Sequence, residues 1–119
     1  MITFKVDNLI NMNSALQVFL DFLQRQEVNE DALFNSRLVS CELITNVVRH
    51  TGKTAVFTGE IKGEIIEIRV KSDSPEKIDL NATLPDVFAE HGRGLYIIKS
   101  ICFGDVEQTN GEIKVNIKV

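Results

Sequence analysis

Residues 38–50, LVSCELITNVVRH, read as a strongly apolar helix that carries Glu42, Asn46 and Arg49 within two turns. Immediately after it the hydrophobic period changes. TAVFTGEI (54–61) and EIIEIRVKS (64–72) are β-type runs separated by Lys62-Gly63, a hairpin-turn sequence. In the second run Ile66, Ile68 and Val70 share one face, and Glu67, Arg69 and Lys71 share the other, which predicts a sheet with one wet side. A helix that hands over to a one-faced hairpin needs that face covered, and this junction sets the fold class.

Working outward, ITFKV (2–6) alternates Ile2, Phe4 and Val6 on one side and predicts a first strand. Asn13 is positioned to cap the following helix, where Leu16, Phe19, Leu20 and Leu23 recur at helical spacing. QEVN (26–29) breaks it. Asn29 then offers a cap to the second helix, with Glu30 and Asp31 at the positive end of its dipole, and Thr51-Gly52 ends that helix near His50. Residues 73–92 are irregular and polar and hold both prolines. Gly92-Arg93-Gly94 opens a short helix, GLYIIKSIC (94–102). VEQT (106–109), an Asn110-Gly111 turn and EIKVNIKV (112–119) close the chain as a hairpin. The expected architecture is α+β: a two-layer α/β sandwich whose mixed, mainly antiparallel sheet is covered on one face by about three helices. The 119 residues suit one domain, 1–119.

Composition narrows the function classes. An apolar fraction of 44% with 25% charged residues is that of a globular chain. The 13 basic and 17 acidic residues are interspersed, for a net charge of −4, which disfavours a nucleic-acid surface. The apolar runs are too short for a membrane span and MITFKVDN has no signal character, so a cytoplasmic protein is expected. Cys41 and Cys102 have neither metal spacing nor a disulfide framework and read as small hydrophobes. His50 and His91 have no partner at ligand spacing, which argues against zinc.

On a helical wheel at about 100° per residue, Phe34, Leu38, Cys41, Ile44 and Val48 form one apolar sector, and Ala32, Val39, Leu43 and Val47 a second. Asn35, Glu42, Asn46 and Arg49 fall between them within an arc of about 60°. Ser36 and Ser40 occupy the other gap. A helix apolar on two sides is expected to pack on both, so its polar stripe is expected to line a cleft. Taken alone, Glu42 and Arg49 read first as surface or near-surface charges, paired one helical level apart. Carboxylate and amide at i, i+4 also suit a hard Mg²⁺ ion that keeps waters and takes phosphate oxygens, or a proton acceptor beside such an ion. Two further features bear on that choice. Asp73, in VKSDSPE (70–76), stands where a strand leaves the sheet, and fits either a turn or a partner for an exocyclic amine such as adenine's. Gly92 and Gly94 precede a helix whose free amides suit phosphate. They form neither a dinucleotide fingerprint nor a P-loop.

The order of these elements carries more than any one of them. Helical Glu-x-x-x-Asn, a hairpin, a strand-end Asp, some twenty loop residues and Gly-x-Gly before a helix resemble the histidine-kinase-like ATPase superfamily, the Bergerat fold. More narrowly, ELITNVVRH (42–50) and DVFAEHGRGLYIIKSICFGDVE (86–107) resemble bacterial anti-sigma factor/serine-protein kinases over essentially the whole chain. The resemblance implies Asn46 as the Mg²⁺ ligand, Glu42 as the catalytic base, Asp73 on the adenine amine, and Gly92 and Gly94 at the phosphates of ATP or ADP. Arg49 and Arg93 become phosphate-side cations or solvent-exposed charges. It further implies a serine kinase acting on an anti-sigma-factor antagonist, a sequestered sigma factor, and a homodimer. The chain departs from the family where Asp-x-Gly-x-Gly is usual, reading Asp73-Ser74-Pro75-Glu76-Lys77, and it places Ala89-Glu90-His91 before the glycine pair. The departures motivate an alternative: a protein-binding regulatory module with weak or no nucleotide binding. The ATPase half of a histidine kinase is a third reading, disfavoured because no dimerisation helices or phosphoacceptor segment are recognised.

Overall fold

The structure, a computed structural model, describes residues 1–51, 54–72, 98, 100–104, 106–109 and 112–119. Five strands form one sheet: β1 (Ile2–Val6), β2 (Ala55–Lys62), β3 (Ile65–Ser72), β4 (Glu107–Thr109) and β5 (Glu112–Lys118), in the order β1-β2-β3-β5-β4. All four described pairings are antiparallel. Two helices, α1 (Met12–Arg25) and α2 (Glu30–Thr51), pack on one face. Ile98, Ser100 and Ile101 are helical in the segment expected to form a third, and Ile98 is fully buried.

Register places the apolar residues where the period-2 reading put them. Phe4 opposes Phe57, Phe57 opposes Val70, and Val70 opposes Ile113, all on the helix side. Leu16, Phe19 and Leu23 of α1 and Val39, Leu43 and Val47 of α2 close that side, and each is buried. Phe19 meets Phe57 edge-on at 5.0 Å, and Phe57 stacks on Phe4 at 4.5 Å. Gly59 belongs to this contact. A Cβ there would stand 2.4–3.0 Å from three ring atoms of Phe19.

Local chemistry moves some boundaries. Asn29 caps α2 as its sequence suggests, its Oδ1 accepting from Ala32 N–H at 2.8 Å. Asn13 does not cap α1. It lies inside the helix, Asn11 stands at the cap without a side-chain bond, and Asn8 Oδ1 accepts the Asn11 N–H at 3.1 Å. Two earlier asparagines compete for the same turn, and the sequence does not rank them. The first hairpin turn is shifted by one residue: Lys62 pairs with Ile65, leaving Gly63-Glu64 as the loop, with Gly63 at φ +62°. That left-handed conformation suits the residue without a Cβ. The Asn110-Gly111 turn lies outside the described residues, although the flanking Thr109 and Glu112 are paired.

The sheet face opposite the two helices is less wet than expected. Glu67 points away from the helices yet is only 6% exposed. Lys62 Nζ lies 3.1 Å from its carboxylate and Arg69 Nε 3.3 Å away, and Glu60 completes the network. The long basic side chains lie across the strand and cover the carboxylate with their methylene stems.

Burial also sets the thiols. It pushes Cys102 up to about 11, and it raises Cys41 despite the neighbouring Arg37 guanidinium.

Two outcomes follow from this packing. Gly59→Ala should lower the urea-unfolding free energy by about 1–3 kcal/mol, because the ring that must yield is held between neighbours; an unchanged midpoint would contradict the close contact. At pH 8 the folded protein's thiols should react with iodoacetamide more slowly than the denatured chain's, Cys102 slowest. The thiolate fraction at a pKa near 11 is then only about one in a thousand.

Candidate functional site

The site is built from the last three turns of α2. Burial around this helix is graded. Ala32, Val39, Leu43 and Val47 face the sheet, and Ser36 and Ser40 share that buried face. The serines lie in the middle of the packed side, where the wheel had placed them in a gap between two apolar sectors. Small side chains there let the helix backbone approach the strands closely.

The opposite sector is covered unevenly. Ile44 is fully buried and Cys41 and Val48 pack against the core, whereas Leu38 is half-buried and Phe34 is 66% exposed. In a two-layer fold the sheet covers one side of the helix, and α1 reaches only part of the remainder. Leu33, Phe34 and Arg37 line a shallow groove against Gln17, Leu20 and Gln24 of α1. Farther along, Thr45 Oγ1 donates to Met12 Sδ at 3.7 Å.

These contacts fix the direction of the polar stripe. With α1 against the Leu33–Arg37–Thr45 side, Glu42 and Asn46 emerge on the side of α2 turned away from α1. Asn46 sits at the margin of the buried face at 3% exposure, Asn35 and Glu42 are half-buried, and Arg49 is exposed. The stripe therefore runs from core to solvent, with the amide innermost and the cation outermost.

Connectivity brings one more element to the same end of the molecule. Only residues 52–54 separate α2 from Ala55, and Ala55 pairs with Ser72, the last residue of β3. The four Cα steps from Thr51 to Ala55 span at most about 14 Å, so the end of β3 lies near the C-terminal turns of α2. Ser72 is 1% exposed and occupies the helix side, continuing the Ile66–Ile68–Val70 alternation. The same period-2 pattern would have placed it there from sequence, but a serine at a strand end does not announce itself as buried. Asp73 follows it directly in the chain. Asp73, Gly92, Arg93 and Gly94 lie outside the described residues, as do Ser74 and Pro75. The structure thus brings Glu42, Asn46 and Arg49 onto one helical margin and positions the strand that leads into Asp73.

The chemistry of this margin is that of an unfinished polar site. Among the described residues, the buried Asn46 Nδ2 has no hydrogen-bond partner. Leaving such a group unpaired costs about 1–3 kcal/mol, which a ligand oxygen or an ordered water would relieve. The orphan Nδ2 is a donor and suits a phosphate oxygen or water, whereas the oxygen of the same amide is the kind of ligand a hard metal ion takes. Glu42, one turn earlier and half-buried, combines solvent contact with a position next to that amide. The donor set therefore fits a phosphate-bearing ligand with Mg²⁺.

Among the described residues, no helix is long and apolar enough to cross a membrane. No curated protein matches the chain significantly. A family model described as the histidine kinase-like ATPase domain matches residues 6–116, nearly the whole span from the first strand to the last; the chain belongs to this family of ATP-binding domains.

Proposed function

We propose that the protein is an ATP- and Mg²⁺-dependent protein-serine kinase of the anti-sigma-factor type. It would phosphorylate a serine on an anti-sigma-factor antagonist and sequester a sigma factor. The observation that carries the nucleotide half of this reading is the buried Asn46 amide beside Glu42, whose Nδ2 has no hydrogen-bond partner among the described residues. The kinase and partner halves rest on the likeness of ELITNVVRH and HGRGLYII to that group of proteins.

Each residue has a distinct task. Asn46 would hold the metal through its amide oxygen. Mg²⁺, when bound, neutralises charge on the transferring phosphoryl group. Glu42 accepts the serine hydroxyl proton as the serine oxygen bonds the γ-phosphorus and the bond to the β-phosphate bridge breaks, releasing ADP. Asp73 takes the adenine amine. Gly92 and Gly94 let backbone amides approach the phosphates. Arg49, exposed at the outer end of the stripe, and Arg93 are the cations available to the phosphate tail. The chain reads Asp73-Ser74-Pro75 where a glycine pair is usual, which favours the second reading, a protein-binding module with little nucleotide affinity.

Calorimetric titration with ATP and Mg²⁺ separates the two. Micromolar binding that weakens at least tenfold in Asn46→Ala supports the kinase reading, and no heat of binding supports the module. Glu42→Ala should keep nucleotide affinity and lose phosphoryl transfer to serine by about 10²–10⁴-fold. Undiminished transfer in that variant would remove Glu42 from the role of base.

A further inference from the structure

Helices α1 and α2 are joined by the short turn 26–29 and leave a groove between them on the side away from the sheet. Its volume is about 270 Å³. Leu20 and Leu33, both half-buried, form its floor, and the exposed Phe34, Arg37, Gln17 and Gln24 form its rim. Small-molecule sites run to roughly 300–1,000 Å³, so this groove suits one or two side chains of a larger body. Past Phe34 the solvent side of α2 stays apolar for two more turns. Leu38 and Cys41, both half-buried, follow Phe34 at i+4 and i+7.

Charge along the groove is ordered. Glu27 lies in the turn, and Glu30 and Asp31 in the first turn of α2, so that end is acidic. Arg25 at the same end is turned about 100° past Gln24, away from the groove. Arg37 stands two turns beyond Glu30 on the same side of α2. Among the described residues no carboxylate lies within ion-pair distance of it. The Cys41 thiol beside it is raised by burial and carries no charge at neutral pH. Across the groove Gln17 Nε2 donates to Asp21 Oδ1 at 2.9 Å, which leaves the Gln17 oxygen for a ligand.

We propose that this groove docks an amphipathic helix of a partner protein. That helix inserts a leucine-type side chain between Leu20, Leu33 and Phe34 and sets a carboxylate against Arg37, with basic residues toward Glu27 and Glu30. The groove walls are side chains of two intact helices, whose backbone groups are already bonded within each helix. An extended segment would find no ladder partner there, whereas a helix satisfies its own backbone. Aromatic residues and Arg are the side chains that interface cores favour, and Phe34 and Arg37 stand one turn apart. The groove is independent of the nucleotide site. Arg37 is nine residues before Asn46, about 14 Å along the helix axis, and is turned toward α1.

Fluorescence anisotropy with the intact chain tests this. The probes are two labelled alanine-based helical peptides. Each carries a Leu-x-x-Leu pair flanked by a glutamate on one side and lysines on the other, in opposite orders, so that both docking directions are covered. One of them should bind saturably to the parent chain and at least tenfold more weakly to Arg37→Glu. Exchanging the probe's glutamate for lysine should restore binding to that variant. Phe34→Ala alters an exposed side chain, so circular dichroism should show an unaltered fold while probe affinity falls at least tenfold. The absence of saturable binding by either peptide overturns the proposal. So does an Arg37→Glu variant that binds the glutamate probe as tightly as the parent. A parent chain that sediments as a dimer and becomes monomeric in Phe34→Ala would place a second copy in the groove, which also overturns it.

Discussion

The contact on which the remainder depends is the seating of α2 on the sheet. Val39, Leu43 and Val47 meet a surface of Ile66, Ile68, Val70 and Val115, all fully buried or nearly so. Ser36 and Ser40 between them keep the helix close. This single packing decision fixes the rotation of α2 about its axis, and the rotation fixes everything functional. A turn of the helix by one residue's angle, about 100°, would carry Asn46 either deep under the sheet or fully into water. In the observed setting the amide lies at the boundary, and Glu42 and Arg49 follow outward in order of increasing exposure.

The same sheet explains why the site forms at one end. Strand β3 ends at Ser72, α2 ends at Thr51, and the pairing of Ala55 with Ser72 ties them together. A helix terminus, a strand terminus and the polar chain that follows are thereby gathered without any residue being strained to reach. At the far edge, β1 is covered above by α1.

Periodicity made most of this legible before any coordinates. Period-2 alternation in ITFKV, EIIEIRVKS and EIKVNIKV assigned the inward residues correctly, because a strand in a one-sided sheet has only two ways to face. The Asn29 cap was legible since Glu30, Asp31 and an apolar run follow it. The misreadings have a common physical origin: the wheel ranks polarity, whereas packing ranks size and position. Phe34 looked buried but lies exposed at the rim of the groove between α1 and α2. Ser36 and Ser40 looked like a gap but are small enough to sit against the sheet. Glu67 looked solvated but is roofed by Lys62 and Arg69, partners whose reach depends on the neighbouring strand. For the site itself, the stripe of Glu42, Asn46 and Arg49 was legible as a pattern, while its depth, with Asn46 inward, needed the sheet. Asp73, Gly92, Arg93 and Gly94 were legible only as a motif order.

The central claim is that the inner end of the α2 stripe faces bound nucleotide. Side-chain amide resonances in a ¹⁵N-correlated NMR spectrum report on this directly, with Asn46 assigned by its loss in Asn46→Ala. Addition of ADP and Mg²⁺ should shift the Asn46 amide pair more than those of Asn8, Asn11 and Asn13, which lie at the start of α1. An Asn46 signal that stays in place while nucleotide binds elsewhere would contradict the account.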